Sequence, residues 1–349
     1  MKEFTIPEIP EYENQSLEQE IKGHLDNLTK PRGSLGRLEE IALQFCMCRN
    51  SEHARIRKMQ LFTVAGDHGV TRNNITPFPK EVTQQMVLNM LAGGAAVSVM
   101  CRNAGIWYSV IDAGVDAEFK NHPLLIKRKI GYGTDDFSQS PAMSDVQCSR
   151  AIEEGIKIIH DCGADLLGTG EMGIGNSASA SAVYSLLLDI DPDYTTGAGT
   201  GATGELLEHK KSIVRTGVSI HKQVWDGTPF DALRRCGGFE IAMLTGMIIG
   251  AVSNRIPVVI DGFITGAAAL CAIKMEPRIA RYCLFSHISA ESFHREFCST
   301  IGIVPILDLQ MRLGEGTGAV LAMQLIVQAL NCYHEMATFG SAAVTNRTE

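Results

Sequence analysis

Several features that mark particular classes of protein are missing from this 349-residue sequence. No uninterrupted apolar run reaches the roughly 18 residues that a membrane helix needs, and no long block of lysine and arginine offers a surface to nucleic acid. The first residues, MKEFTIPEIPEYENQ, are acidic and rich in proline, unlike a signal peptide. With 45% hydrophobic and 20% charged residues and a net charge of −8, the composition predicts a soluble globular protein that binds neither membranes nor nucleic acids.

The cysteines and histidines lack the spacings of metal sites. Ten of each are present, but they form no C-x-x-C pair and no H-x-x-x-H or H-E-x-x-H motif. Cys46 and Cys48 are too close for an easy local disulfide, and Cys271 and Cys283 lie in apolar runs, where a thiol acts as a small hydrophobic group. We therefore expect free thiols, a cytoplasmic location and no dedicated metal site.

What is present is an alternation of short apolar runs and helical segments. At least five runs end in Gly, Asp or Ser, at 59–66, 106–116, 164–175, 256–263 and 281–289. Helical periodicity marks 16–28 (with Ser16 as N-cap), the segment after the break at 31–34, 80–104, 144–162, and 316 to about 339. The alternation predicts an α/β fold with a parallel sheet, helices on both of its faces, and ligands beyond the carboxyl ends of the strands. Residues 1–15 are predicted to be a flexible or loosely docked lead.

Glycine, with 34 copies, clusters in three loops. These are GTGEMGIGNS (168–177), TGAGTGATG (196–204) and LGEGTGA (313–319). Such loops present backbone N–H groups near helix N-termini, an arrangement that binds phosphate. Ser177, Thr200 and Lys210 add two hydroxyls and a cation nearby. The alternative is that the glycines only allow strands and helices to pack closely.

The first two of these loops also contain G-x-G-x-x-G, a motif of NAD(P)-dependent oxidoreductases. That interpretation requires an acidic residue at the tip of the strand that follows the first loop. Asp189 has about the right spacing, but it lies at the end of a predicted helix. An oxidoreductase and a non-catalytic nucleotide-binding module are therefore kept as alternative functions.

Two glutamates, Glu171 and Glu315, lie among the glycines of these loops. We predict that each stands at a strand-to-helix junction facing the ligand crevice, where a carboxyl group can take part in catalysis. A helix N-terminus near Glu315 would lower its pKa, whereas an apolar pocket would raise it. The sequence alone leaves both directions open.

Seven short blocks within residues 17–340 resemble one enzyme family. In chain order they are TKPRGSLGRLE (29–39), AGDHGV (65–70), PKEVT (79–83), GTGEMGIGNS (168–177), DGF (261–263), SHISAE (286–291) and MRLGEGTGA (311–319). Together they resemble the nicotinate-nucleotide–dimethylbenzimidazole phosphoribosyltransferases of cobalamin biosynthesis. The resemblance implies transfer of 5-phosphoribose from nicotinate mononucleotide to a lower-ligand base such as 5,6-dimethylbenzimidazole. The products would be nicotinate and an α-ribotide, alpha-ribazole 5′-phosphate, and no cofactor or metal is needed.

The family's architecture implies two domains and a dimer. A large Rossmann-like catalytic domain would span 59–319, and a small helical domain would combine both chain ends, 1–58 and 320–349. In the implied homodimer, the partner's small domain closes each site.

The resemblance also implies roles for site residues. Because the pyridinium of the donor already carries a positive charge, nicotinate leaves without an acid, and one general base suffices. Glu315 matches that base, and Glu171 matches an auxiliary carboxyl near the ribose. The positions that match phosphate- and ribose-binding residues are Gly173, Gly175, Asn176, Ser177, Thr200, Gly201, Lys210 and Ser289.

The attacking base would lie in an apolar slot, and the matching positions are Phe78, Pro79, Met86, Met172 and Leu313. The sequence departs here from the best-known family pattern, which has Ser and Gln where Phe78 and Met86 stand. Met86 and Met172 could equally be plain core residues. Because relatives use different bases, a phenolic base is an alternative substrate, in an enzyme that pairs this chain with a paralogous subunit.

Overall fold

The computed structural model describes residues 4–345 and contains a six-stranded parallel sheet. The strands are β1 (Met59–Gly66), β2 (Trp107–Gly114), β3 (Leu125–Lys127), β4 (Leu166–Met172), β5 (Val258–Ile260) and β6 (Cys283–Phe285). Their spatial order is β3-β2-β1-β4-β5-β6, and every neighbouring pair is parallel. The predicted α/β class and parallel sheet are confirmed. The strand order reverses between β1 and β4, which is where open sheets of this kind bind ligands.

Helices cover both faces of the sheet, and two 3-10 helices span Gly69–Asn73 and Pro277–Tyr282. The α-helices are α1 (Gln15–Asn27), α2 (Arg37–Arg49), α3 (Glu81–Leu91), α4 (Ala96–Ala104), α5 (Asp145–His160), α6 (Asn176–Leu188), α7 (Pro192–Thr195), α8 (Gly204–Lys222), α9 (Pro229–Cys236), α10 (Phe239–Ser253), α11 (Phe263–Met275), α12 (His294–Thr300) and α13 (Thr317–Glu335).

The central strand β1 shows why the apolar runs are continuous rather than alternating. Its side chains Phe62 and Val64 belong to a hydrophobic cluster shared with α5, α6, α10 and α11. Leu61 and Ala65, which flank this pair along the strand, belong to a second cluster on the opposite face, shared with α2, α4 and α13. Because both faces are covered, every second residue is as apolar as its neighbours.

Helices from the two chain ends pack together. Ile21 of α1, Phe45 of α2 and Ile326 of α13 lie in one hydrophobic cluster, which continues onto the sheet through Leu61 of β1. The terminal helices thus share their core with one face of the sheet, and the predicted boundary at residue 320 falls inside α13. The division into two domains stays a prediction, and its residues 1–3 and 346–349 lie outside the described structure.

The segment predicted to be a loose lead is docked from residue 4 onward. Ile9 is 2% exposed, and Arg278 donates a hydrogen bond to its carbonyl oxygen at 2.9 Å. The ring of Phe4 stacks on that of Phe230, with 6.1 Å between centroids. The prediction was wrong because the apolar side chains of this segment pack against the rest of the protein in spite of its prolines and charges.

Two helix boundaries also differ from prediction. The N-cap of α1 is Asn14, whose side chain accepts a hydrogen bond from the N–H of Leu17 at 3.2 Å, and Ser16 lies inside the helix. The stretch Glu81–Ala104 is long and apolar enough, by length and composition alone, to cross a membrane. It is two helices, α3 and α4, separated by a turn in which Gly93 has a φ of 81°.

Candidate active site

A cavity of about 280 Å³ lies beyond the carboxyl ends of β4, β5 and β6. It combines residues that follow three neighbouring strands with residues from loops far apart in the sequence. The predicted site residues that line it are Phe78, Glu171, Met172, Gly173, Asn176, Ser177, Thr200, Ser289 and Leu313. The structure therefore brings together side chains predicted for the ribose, the phosphate and the base.

The other predicted residues stand around this cavity without lining it. Lys210 lies behind Ser177, Glu315 follows the lining residue Gly314, and Gly201 follows the lining residue Thr200. Gly175 is the N-cap of α6, Pro79 lines an adjoining cavity of about 440 Å³, and Met86 packs against the cluster under α13.

The β4–α6 turn positions the polar side chains at the floor of the cavity. Glu171 is the penultimate residue of β4, so it lies in the strand rather than in the loop that we predicted. Gly175 has a φ of 92°, which favours glycine, and the chain then enters α6 at Asn176. The Asn176 amide donates a hydrogen bond to the Glu171 carboxyl group. The first turn of α6 thus faces the same space as these side chains, and its N–H groups at Asn176 and Ala178 donate to the carbonyl oxygens of Gly173 and Gly175.

The first two glycines of the GTGEMG motif serve close packing. A Cβ atom at Gly170 would lie 2.2 Å from the carbonyl oxygen of Glu315, and one at Gly168 would lie 2.8 Å from the sulfur of Met323. Both glycines let the start of α13 approach β4. The packing interpretation therefore holds for these two positions, whereas Gly173 lines the cavity.

Neither candidate acid meets the requirement for dinucleotide binding, since Asp189 is not at a strand tip and the acid at the next strand tip is already hydrogen-bonded to the backbone. Asp189 is the C-cap of α6 and pairs with Lys222 at the surface. The next strand along the chain is β5, and the acid at its tip, Asp261, accepts hydrogen bonds from the backbone of Gly316 and Ala319. The structure thus gives no support to the oxidoreductase alternative.

Glu315 stands in a strained turn that ends a long irregular segment. Its φ is 64°, between Gly314 at 79° and Gly316 at 102°, and α13 begins two residues later. The chain thus enters α13 from a loop and not from a strand. The prediction that Glu315 stands at a strand-to-helix junction was therefore wrong. Thr63 of β1 holds the turn by donating a hydrogen bond to the Glu315 carbonyl oxygen at 2.7 Å.

The carboxyl group of Glu315 is buried, and its Oε2 has no hydrogen-bond partner among residues 4–345. Burial raises its pKa above the ordinary value, the backbone N–H of Val97 acts in the opposite direction, and the charge of Asp261 raises the pKa further. Burial therefore outweighs the hydrogen bond from Val97, and the pKa of Glu315 is raised, which is one of the two directions that the sequence left open.

The pKa of Glu171 is raised further than that of Glu315. Burial raises its pKa from 4.5 to about 8, the hydrogen bond from Asn176 opposes this, and the charges of Asp261, Glu240 and Glu315 add to it. At neutral pH the Glu171 carboxyl group is protonated and can donate a hydrogen bond. Two neighbouring carboxyl groups with pKa values raised to different extents are suited to different roles in one reaction.

A buried cation, Lys210, stands behind the part of the cavity wall that Ser177 forms. The Lys210 ammonium group donates hydrogen bonds to Ser177 Oγ at 2.9 Å and to the Gly197 carbonyl oxygen at 2.8 Å. Burial lowers the Lys210 pKa from 10.5 to about 8, and Glu291 partly opposes that change. Ser289 is oriented by His294, whose Nδ1 accepts a hydrogen bond from the Ser289 N–H at 2.8 Å.

Among the lining residues that sequence reasoning missed, three have titratable side chains, namely His287, Glu291 and Arg312. All three lie within blocks that carried the family resemblance, SHISAE and MRLGEGTGA, so position in those blocks was the available signal. Glu291 is 7% exposed, and both of its carboxylate oxygens accept from the N–H of Gly199, at 3.0 and 3.1 Å. Arg312 donates to the carbonyl oxygen of the same glycine at 3.3 Å.

Comparison with known proteins places this fold and site in a class. The model of the family described as Phosphoribosyltransferase matches residues 10–344, and the chain therefore belongs to that phosphoribosyltransferase family. A relative from Chlorobaculum parvum is 45% identical over 339 residues, and the alignment covers 96% of each chain. A second relative, from Nitratidesulfovibrio vulgaris strain Hildenborough, is 44% identical, with 95% of each chain covered.

Both relatives are named nicotinate-nucleotide–dimethylbenzimidazole phosphoribosyltransferase. The crystal structure of CobT from Thermus thermophilus is similar throughout, with a TM-score of 0.91, 37% identity, and coverage of 95% of this chain and 100% of that one. The family that the seven sequence blocks resemble is thereby confirmed.

Proposed function

We propose that this chain transfers 5-phosphoribose from nicotinate mononucleotide to a benzimidazole-type base, with release of nicotinate and formation of an α-ribotide. The observation that supports this most strongly is the arrangement of one cavity with an anion-binding side and a carboxyl side. Ser177, backed by Lys210, stands on the first, and Glu171 stands on the second with Glu315 close by.

The donor's phosphate would bind at the first turn of α6. The backbone N–H groups at this helix N-terminus favour an anion, and the Lys210 ammonium stands 2.9 Å behind Ser177 Oγ. Thr200 and Ser289 offer further hydroxyl groups on the same cavity wall. A monophosphate bound there leaves the ribose beside Glu171, whose protonated carboxyl can donate to a ribose hydroxyl or ring oxygen.

Glu315 would act as the general base. A benzimidazole attacks through one ring nitrogen while its other N–H must lose a proton, and a carboxylate with a raised pKa is a better acceptor for that proton than an ordinary one. Nicotinate departs as a neutral pyridine nitrogen. Because attack occurs on the face opposite the leaving group, the β-linkage of the donor becomes an α-linkage in the product.

The base would lie against an apolar wall. Phe78 and Leu313 line the cavity and are 46% and 57% exposed, so both rings of a flat base could cover them. Met172 lines the cavity and also packs against the cluster that contains Val97, next to Glu315. This continuity supports a base site that extends from the cavity toward Glu315.

The proposal includes a cytoplasmic homodimer. All ten cysteines are free thiols, as expected in a reducing compartment, and the homodimer is what the family resemblance implies.

A product assay tests the proposed reaction. The enzyme is incubated with nicotinate mononucleotide and, separately, with dimethylbenzimidazole, benzimidazole, hydroxybenzimidazole, adenine and phenol, and products are identified by mass spectrometry. We expect a ribotide of the benzimidazoles and an equal amount of nicotinate. Binding of the nucleotide without nicotinate release would instead indicate a non-catalytic module, and a ribotide of phenol alone would change the substrate class.

A further inference from the structure

The loop at 196–204 is held by a buried carboxylate that the proposed reaction does not use. Glu291 accepts from the Gly199 N–H with both oxygens, at 3.0 and 3.1 Å, and lines the cavity at 7% exposure. Its own N–H donates to Ser289 Oγ at 3.3 Å. One side chain thus joins the segment after β6 to the loop that precedes α8.

The same loop provides part of the environment of Lys210. The ammonium group donates to the Gly197 carbonyl oxygen at 2.8 Å, and a Cβ atom at Gly199 would lie 2.8 Å from Nζ and 2.4 Å from Ser177 Oγ. The position of this loop therefore determines where the ammonium group and the Ser177 hydroxyl can lie.

Gly197 shows how closely the carboxylate fits. A Cβ atom at this residue would lie 2.1 Å from Glu291 Oε1. Gly197 has no left-handed φ, so an alanine would be compatible with the backbone, and the nearest atoms that its Cβ would meet belong to the side chains of Glu291 and Ser292. Glycine is required here because these side chains occupy the space.

Resting on the proposed function, we propose that Glu291 is a positioning residue for the donor's phosphate: its carboxylate fixes the 196–204 loop, and the loop in turn keeps the Lys210 ammonium directed at Ser177. The opposite effect is also physically possible, because a carboxylate near a phosphate repels it. The two effects differ in sign. Removal of the charge weakens phosphate binding if Glu291 positions the loop, and strengthens it if repulsion dominates.

Calorimetric titration distinguishes these effects. Glu291→Gln keeps the shape and one acceptor oxygen, and we expect it to weaken nicotinate mononucleotide binding by at least about tenfold, as for a lost hydrogen bond to a charged group. Nicotinate riboside, which lacks the phosphate, should bind to the variant and the wild type within about twofold. Glu296→Gln, an exposed glutamate on α12, is the matched control and should bind both ligands as the wild type does.

A second variant alters the geometry without removing the charge. Gly197→Ala displaces the carboxylate, and we expect the same selective loss for the nucleotide. Equal or tighter nucleotide binding by Glu291→Gln, or equal losses for nucleotide and riboside in both variants, would overturn the proposal. Circular dichroism and thermal unfolding of each variant show whether it is folded.

The pH dependence provides a readout that a merely structural role would not alter. Above pH 7 the phosphate is a dianion, and both the Lys210 ammonium and the Glu171 carboxyl group have a pKa of about 8. Glu171 would contact the ribose, which nucleotide and riboside share, so a loss of affinity with rising pH that appears for the nucleotide and not for the riboside reports the Lys210 ammonium. The groups around this ammonium are the Ser177 hydroxyl of α6, the Gly197 carbonyl and, among the charged side chains of residues 4–345, Glu291. Because Glu291 raises the Lys210 pKa, Glu291→Gln should move the loss of affinity to lower pH.

An unchanged midpoint would contradict this part of the proposal. Failure of the proposed function is distinguishable, because it would appear as absence of ribotide with the wild-type enzyme, whatever the variants bind.

Discussion

One carboxylate oxygen of Asp261 accepts a hydrogen bond from the backbone N–H of Gly316 at 3.1 Å. The other oxygen accepts from the N–H of Ala319 at 2.9 Å, so the tip of β5 caps the start of α13. Glu315, the residue before Gly316, is thereby fixed in its left-handed conformation beside β4. The proposed base is thus positioned by the sheet, although it belongs to a loop.

Glu315→Gln should separate binding from turnover. The amide keeps the shape of the side chain but cannot accept a proton from the attacking base, so we expect turnover with dimethylbenzimidazole to fall by the typical general-base factor of about 10²–10⁴. Nucleotide affinity, measured by calorimetry, should stay near the wild-type value. Near-normal turnover of the variant would remove Glu315 from the mechanism.

Titration of Glu171 should make the protein less stable as the pH rises. Its pKa of about 8 in the folded protein lies above 4.5, the ordinary value expected in the unfolded chain, so folding takes up a proton between these values. The free energy of unfolding therefore decreases from about pH 4.5 to about pH 8. Glu171→Gln removes this titration, and its stability relative to the wild type should increase over that window. Urea denaturation at pH 5, 6.5 and 8 measures the free energy of unfolding of both proteins. A difference in this free energy that stays constant with pH would be inconsistent with the raised pKa.

Phe78 should influence which base is used. Its apolar ring faces the cavity and leaves a hydroxyl on the base unpaired, so we expect the wild type to prefer dimethylbenzimidazole or benzimidazole over hydroxybenzimidazole by about tenfold or more in kcat/KM. Phe78→Ser should reduce that preference.

Met86→Gln provides the comparison for this prediction. Met86 does not line the cavity and packs against the cluster under α13, so its substitution should lower stability more than it changes selectivity. Competition assays with paired bases measure the ranking. If the preference among the bases changes in Met86→Gln and not in Phe78→Ser, the base lies closer to the sheet.

Gly170→Ala should impair catalysis through the position of Glu315. The added methyl group would lie 2.2 Å from the Glu315 carbonyl oxygen, and a rigid backbone contact of this kind must shift the 314–316 turn. We expect turnover to fall at least about tenfold, since small displacements of a catalytic group are costly.

Gly23→Ala is the control, because a Cβ atom at Gly23 in α1 meets nothing within 4 Å. This variant should retain full activity and gain about 0.5–1 kcal/mol of stability from helix propensity. Normal turnover of Gly170→Ala would show that the turn tolerates the methyl group.

The sequence was sufficient for five of the six strands but not for β3. The strands β1, β2 and β4 are seven or eight residues long and end at Gly or near it, so their apolar runs are distinctive. The strands β5 and β6 have only three residues each, but all of their side chains are buried and apolar. The strand β3, Leu125–Lys127, is equally short and has one buried side chain, so its sequence carries too little apolar pattern to be recognised. The 80–104 segment was predicted as one helix because its apolar spacing continues across Gly93, where the chain turns.

Part of the cavity lining was predictable from a short motif. Asn176 and Ser177 follow directly from a glycine-rich strand-to-helix turn, and the structure places both in the cavity. Glu291 was missed because its function depends on a contact with Gly199, 92 positions away in the chain. The direction of the Glu315 pKa shift also required the fold, because it results from burial by elements distant in sequence.

The anomeric configuration of the product tests the account most directly. Wild-type enzyme, nicotinate mononucleotide and dimethylbenzimidazole are followed by NMR, with Glu315→Gln as the parallel sample. The account predicts an α-linked ribotide that accumulates in a one-to-one ratio with nicotinate, at a rate reduced in the variant by about 10²–10⁴. A β-linked product, or nicotinate released with free ribose 5-phosphate in place of a ribotide, would contradict it.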